Sequence, residues 1–262
     1  MLSWIHDLPA WAGYLTVTGV AVALQCGGVL LLRPVVTKSF GAERAKDEMI
    51  TVVLTVGGIF YGLLLGLIAV AGLESYDAAK SVVADESATL STLYREVSAY
   101  PEPERSLLRQ DLAAYTDNVI TVAWPALRRG DEPTGGTALV TRFQEHLLAF
   151  QPRTEAESIV HAATIDQFAD FDQQRRHRIG AAASSLPDVL WWAIVLGGAI
   201  TLALLSFYDL TSRTVHLLLG GLLAFFLGTI IFLIAALDQP FRGDLGVTSE
   251  PYERVYHHVM HR

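Results

Sequence analysis

The residues of this 262-residue chain that could do chemistry fall into a few small sets. Glu253, His257 and His261 recur at four-residue intervals near the C-terminus. On a helix they share a face, a weak donor set for a metal or a proton sensor; the plainer reading is a polar tail. Glu74 and Asp77 follow a long apolar run. Repeated around an axis they would form acidic rings that attract cations, whereas singly they supply the charge a helix needs on leaving a bilayer. Within that run, Thr51, Thr55 and Tyr61 are the polar groups available to line a pore, and Ile59, Phe60, Leu64 and Ile68 the apolar ones available to constrict it. Gly58, Gly62 and Gly66 repeat every four residues, so another helix can approach closely, from the same subunit or a neighbouring one. Gly220, Ala224 and Gly228 repeat the device further on. The chain has no phosphate-binding glycine loop ending in Lys-Ser/Thr, no His-Glu-x-x-His and no Gly-x-Ser-x-Gly. We therefore read neither an enzyme nor a cofactor. Cys26 is the sole cysteine, which excludes an intrachain disulfide and a cysteine-based zinc site.

The elements that must position these residues are set by hydropathy. Hydrophobic residues make up 52% of the chain and charged ones 18%, and the mean hydropathy is +0.37. That is too apolar for an ordinary soluble domain. A net charge of −8 argues against a nucleic-acid partner. The apolar excess sits in four runs, residues 11–32, 50–72, 189–207 and 215–237, none containing Asp, Glu, Lys or Arg. Each is long enough to cross a hydrocarbon core of about 30 Å. The empty interior disfavours proton-coupled transport, which usually keeps an ionisable group at mid-membrane. Around the spans lie an N-terminal tail (1–10), a basic loop (33–49) and a C-terminal tail (238–262). Trp11, Tyr14, Trp191 and Trp192 lie near span ends, where amphipathic rings favour the interface. Arg33, Lys38, Arg44 and Lys46 in the first loop and Arg213 in the third tilt the short loops toward the cytoplasm and the helical region outside. Arg242, Arg254 and Arg262, with Arg175, Arg176 and Arg178, tilt the other way.

Residues 73–186 form a polar region whose apolar residues recur at helical spacing. From 75 to 186 it holds eleven basic and sixteen acidic residues. Val82, Val83, Leu90, Leu93, Tyr94 and Val97 continue the second span as one helix face, broken by Pro101 and Pro103. Leu107, Leu108, Leu112, Tyr115, Val119 and Val122 give the next stripe. Trp124-Pro125 and residues 129–137 read as the main loop, and 138–150 as a short helix. Thr154-x-x-Glu157 is a capping box opening a helix to about Ala183. Its charges, Asp166, Asp170, Asp172, Arg175, Arg176 and Arg178, read as a solvated face or a charged vestibule, with Asp172 and Arg176 spaced to pair.

An ordered set of motifs carries a family resemblance over roughly residues 50–255. It comprises Gly58-Ile59-Phe60-Tyr61-Gly62, Tyr76-Asp77-Ala78-Ala79, Glu86-Ser87-Ala88-Thr89-Leu90, Tyr100-Pro101-Glu102-Pro103, Ala123-Trp124-Pro125, Arg176-His177-Arg178-Ile179, Leu186-Pro187-Asp188 and Leu237-Asp238-Gln239-Pro240-Phe241-Arg242-Gly243. Together these resemble the bacterial bestrophin-like membrane family, a domain of unknown function. The resemblance implies kinship with bestrophins, oligomeric ligand- or calcium-gated anion channels in which the second span lines the pore and the helical region extends it. The expectation is thus an all-α integral membrane protein of the bacterial inner membrane. It has four transmembrane helices and a helical extramembrane domain between the second and third. It self-associates in the lipid bilayer and passes inorganic ions along the second span. The alternative is a non-conducting scaffold or sensor whose helical domain binds a partner.

Overall fold

The computed structural model describes residues 3–40, 44–208 and 212–261, with side chains described for 4–31, 47–208 and 212–261. Among these, every regular element is helical. The α-helices are α1 (Ala10–Phe40), α2 (Arg44–Glu96), α3 (Glu104–Asn118), α4 (Trp124–Arg129), α5 (Gly136–Ala149), α6 (Glu155–Ala182), α7 (Asp188–Ser206), α8 (Arg213–Asp238) and α9 (Glu250–Val255). Four stretches are long and apolar enough to cross a membrane: Ala10–Leu31, Asp47–Ala99, Asp188–Ser206 and Arg213–Asp238. The chain packs into two compact units, one of Met1–Ser75 with Ser185–Asp238, the other of Tyr76–Ser184 with Gln239–Arg262.

The first unit is held by close helix approach. Small residues of α8 receive α1: a side chain at Gly220 would begin 3.0 Å from Gln25 Nε2, and one at Gly228 2.9 Å from the Thr18 backbone. The weaker small-residue repeat is therefore used inside the subunit. Tyr61 of α2 lies over Gly197 and Gly198 of α7, where a Gly197 side chain would overlap its ring. Its hydroxyl donates to the Ile194 carbonyl at 2.6 Å. Asp238, at the end of α8, accepts from Leu186 N–H and from Trp191 Nε1. His216, almost fully buried, sets Nε2 3.0 Å from the Leu205 carbonyl oxygen. Of the expected interface aromatics, Trp11 and Trp192 are exposed, but Trp191 is buried among Tyr61, Leu65 and Ile194.

The second unit encloses the larger core. Ala79, Val83, Leu90 and Leu93 of α2, with Val97 just beyond its end, pack with Leu108, Leu112 and Tyr115 of α3, Phe143 and Leu147 of α5, and Phe168 and Phe171 of α6. The α6 capping box forms as spelled: Thr154 Oγ1 accepts from Glu157 N–H, and Glu157 Oε2 accepts from Thr154 N–H.

Some boundaries differ from the sequence reading. The span expected to close at Arg33-Pro34 continues as α1 to Phe40, and α2 begins at Arg44. Most of the expected 33–49 loop is thus helical, since Val35 and Val36 prolong the apolar run past the proline. The side chains of Arg33, Lys38, Arg44 and Lys46, and the whole of Arg262, lie outside the described residues. Trp124-Pro125 opens α4 rather than a loop, because the π-helical turn Val119–Ala123 carries the chain straight on from α3 and loosens the backbone just before the proline. The expected C-terminal tail is instead folded into the second unit. Phe241, Val247, Tyr252, Val255 and Met260 join its core, Trp124 Nε1 donates to the Val247 carbonyl at 3.1 Å, and Tyr94 Oη donates to the Met260 carbonyl at 3.2 Å.

Candidate functional site

The site begins with the two faces of α2. Its buried positions within the first unit are Tyr61, Leu65, Ile68 and Gly72, spaced four, three and four apart. That is the stripe an α-helix turns toward its neighbours. Of the expected pore-lining set, Tyr61 and Ile68 thus belong to the internal packing, and Leu64 lies half-buried beside them. An adjacent flank, about a quarter-turn round the helix, carries Thr51, Thr55, Gly58, Gly62 and Gly66, again at spacings of three or four. Leu73 and Asp77 prolong the same row.

Among the described residues, nothing packs against the glycines of this second row. A side chain built on Gly58, Gly62 or Gly66 would meet nothing within 4 Å. Thr51, Thr55, Gly62, Gly66 and Asp77 are exposed, as is Ile59 at the edge of the row at 66%. Phe60, at 68%, points to another exposed side, three residues short of Leu63 and seven short of Leu67. Of the two readings of these glycines, contact within the subunit or with a neighbouring one, the first finds no counterpart among the described residues. Thr51 Oγ1 donates back to the Asp47 carbonyl, so the row is polar at its start, smooth at its middle and acidic at its end. Glu74 is also exposed, one position off the row.

The second unit holds a buried charged constellation whose arginine the sequence reading placed on a solvated face or a charged vestibule. Glu86 is fully buried and Arg178 is 3% exposed. Arg178 Nε donates to Glu86 Oε2 at 2.6 Å and its Nη2 to Oε1 at 3.4 Å. The Tyr115 hydroxyl donates to Glu86 Oε1 at 2.6 Å. The guanidinium carbon lies 6.0 Å from the Trp124 ring centroid and 5.9 Å from that of Tyr252. Burial alone would lower the Arg178 pKa. The Glu86 carboxylate, together with the Tyr252 and Tyr115 phenols, more than offsets this, and the guanidinium is held well above its ordinary range. Burial, then the Glu86 charge, pushes the Tyr115 and Tyr252 phenols well above theirs. Of the α6 charges, Asp172 and Arg176 do pair, at 2.6 Å, while Arg175 and Arg178 turn inward.

The helical spacing of the sequence carries a signal for this pair. The buried row of α6 is Thr164, Phe168, Phe171, Arg175 and Arg178, an unbroken four-three-four-three spacing. On α2 the row Ala79, Val83, Glu86, Leu90, Leu93 places a glutamate among aliphatic residues. A charge at a core position of each helix announces a buried pair, because neither survives there alone.

The C-terminal donor set does not assemble. Residues Tyr256–Met260 form a π-helical turn, whose wider pitch breaks the four-residue register of Glu253, His257 and His261. Glu253 accepts from the Ser249 hydroxyl at 2.6 Å, and His261 packs on the Tyr256 ring. Among the described residues no three His, Cys, Asp or Glu side chains are grouped to hold a metal ion.

A family model described as a bestrophin-like domain matches residues 19–252, most of the chain. The chain belongs to the bestrophin-like family. It is an integral membrane protein, as its family and its four apolar spans require. The fold is similar to solved structures of a bacterial bestrophin homolog from Klebsiella pneumoniae. One variant of that homolog superposes with a TM-score of 0.71 at 11% identity, covering 95% of this chain and 98% of the other. A second variant gives 0.69 at 10% identity, covering 94% and 99%. A third structure gives 0.66 at 13% identity, covering 95% and 98%. At such identities the likeness is one of fold. No curated protein matches the chain.

Proposed function

We propose that this bestrophin-like protein is an oligomeric channel for inorganic ions of the bacterial inner membrane, with α2 beside the conducting axis and the second unit forming a helical domain outside the bilayer. The observation that carries the reading is the unpartnered row on α2. Among the described residues, Thr51, Thr55, Gly62, Gly66 and Asp77 are exposed, and the space beside Gly58, Gly62 and Gly66 is open. A membrane helix leaves such a row bare when a neighbouring subunit or a water-filled path covers it. The likeness in fold to a bacterial bestrophin homolog supports the same arrangement. The hydroxyls of Thr51 and Thr55 would solvate a passing ion, Ile59 would narrow the path, and Asp77, with Glu74 beside it, would favour cations at one mouth.

Planar-bilayer recording of the purified protein tests this. Currents are expected, with cations preferred over anions, and Asp77→Asn or Glu74→Gln should move the reversal potential toward anions. Silent bilayers across ions, pH and voltage would remove conduction and leave the scaffold reading. Currents with unchanged selectivity in both variants would remove the two carboxylates from the mouth.

A further inference from the structure

The second unit contains a cavity of about 510 Å³ bounded by α3, α5, α6 and the turn after α8. Its volume lies within the usual range for small-molecule sites, about 300–1,000 Å³. We infer that it binds a small organic oxyanion carrying a hydroxyl or amino group.

Three features of its wall converge on such a ligand. First, α5 starts at this wall with Gly136 and Thr137, and Gly135 before it supplies no side-chain cap. A helix whose first N–H groups lack a cap presents donors and a partial positive charge, suited to an anion. Second, Arg175 and Arg178 line the cavity and are 8% and 3% exposed. Arg178 spends Nε and Nη2 on Glu86, and its buried Nη1 has no hydrogen-bond partner. Arg175 Nη2 donates to Thr137 Oγ1 at 2.8 Å, while its Nη1 lies a long 3.7 Å from Asp172. Third, Asn118 also lines the wall, and its buried Oδ1 is without a partner. These two atoms lie just behind the cavity surface, and a ligand with both functions would relieve their desolvation penalty once the Arg178 and Asn118 side chains turn toward it.

Gly136 marks where Asn118 and Arg175 meet. A side chain there would begin 3.7 Å from Asn118 Oδ1 and 4.0 Å from Arg175 Nη2. The oxyanion would sit on the α5 N-terminus and the arginines, with the ligand's hydroxyl or amino group donating to Asn118 Oδ1. Val119, Ile179 and Phe241 would contact its carbon skeleton. Glu132 at the rim suits an amino group over a bare hydrocarbon.

The test is calorimetric titration of the full chain in detergent, which is independent of conduction. The probes are malate, glutamate and glycerol 3-phosphate, with inorganic phosphate and glycerol for comparison. At least one organic oxyanion should bind saturably and glycerol should not; carboxylate against phosphate probes identifies the head group. Gly136→Leu, which fills the meeting point, and Arg175→Gln should each weaken that binding at least tenfold. Asn118→Leu should weaken it while sparing any simple oxyanion. Saturable binding to no oxyanion, binding to inorganic phosphate alone, or undiminished affinity in both Gly136→Leu and Arg175→Gln would overturn the inference.

Discussion

Glu86 and Arg178 show how one residue type can mean opposite things at two positions of a helix. On an exposed face, a pair such as Asp172–Arg176 is worth a few tenths of a kcal/mol. In the core, each charge depends on the other. Glu86→Gln or Arg178→Met alone should destabilise the second unit by about 3–5 kcal/mol, read as a lowered melting transition, because the remaining charge is stranded. The double variant should lose less than the sum of the two, and strict additivity would show that the pair is uncoupled. The neighbouring phenols give a pH dependence of definite sign. With folded pKa values raised above about 10, Tyr115 and Tyr252 stay protonated in the native state while the unfolded chain ionises. Their contribution is complete below about pH 10 and is lost as pH rises beyond it. Thermal melts from pH 8 to 11 should fall on the alkaline side, more shallowly in the Tyr115→Phe, Tyr252→Phe double variant. An equal slope in both proteins would exclude these phenols as its source.

At the scale of elements, the small-residue rows behave in two ways that hydropathy does not distinguish. Gly197 and Gly228 are filled from inside the subunit, by Tyr61 and by α1. Gly197→Ala should therefore cost about 1–3 kcal/mol through overpacking against the Tyr61 ring, and Tyr61→Ala in the same chain should restore part of it. Gly62 has open space instead. Gly62→Leu should leave the subunit fold intact yet disrupt assembly, seen as a smaller particle in light scattering of the detergent complex. Gly27→Leu, equally open but on α1, is the control; a Gly62→Leu oligomer of unchanged mass would place the row against lipid. The existence of α2, α3, α5 and α6 was legible in the spacing of Leu90, Leu112, Phe143 and Phe168, because burying one face of a helix demands that period. The ends of α1 and α4 were less so, since Pro34 and Pro125 break a helix in some contexts and begin or sit within one in others.

Across the whole molecule, the absence of Asp, Glu, Lys and Arg from four apolar runs determined that the chain lives in a membrane and is built from helices, because a bilayer admits no unpaired backbone or lone charge. Composition sufficed there, since every residue of a span meets the same solvent. The ordered motifs likewise carried the bestrophin-like family, which the family match over residues 19–252 establishes. Which face of α2 is spent inside the subunit, that Glu86 meets Arg178 from ninety-two residues away, that the C-terminal segment completes a core, and that Arg175, Asn118 and Gly136 border one cavity were decided by the tertiary structure alone. These depend on pairings between distant segments. Local hydropathy and helical period say that a face must be covered, and only the packed chain says by what.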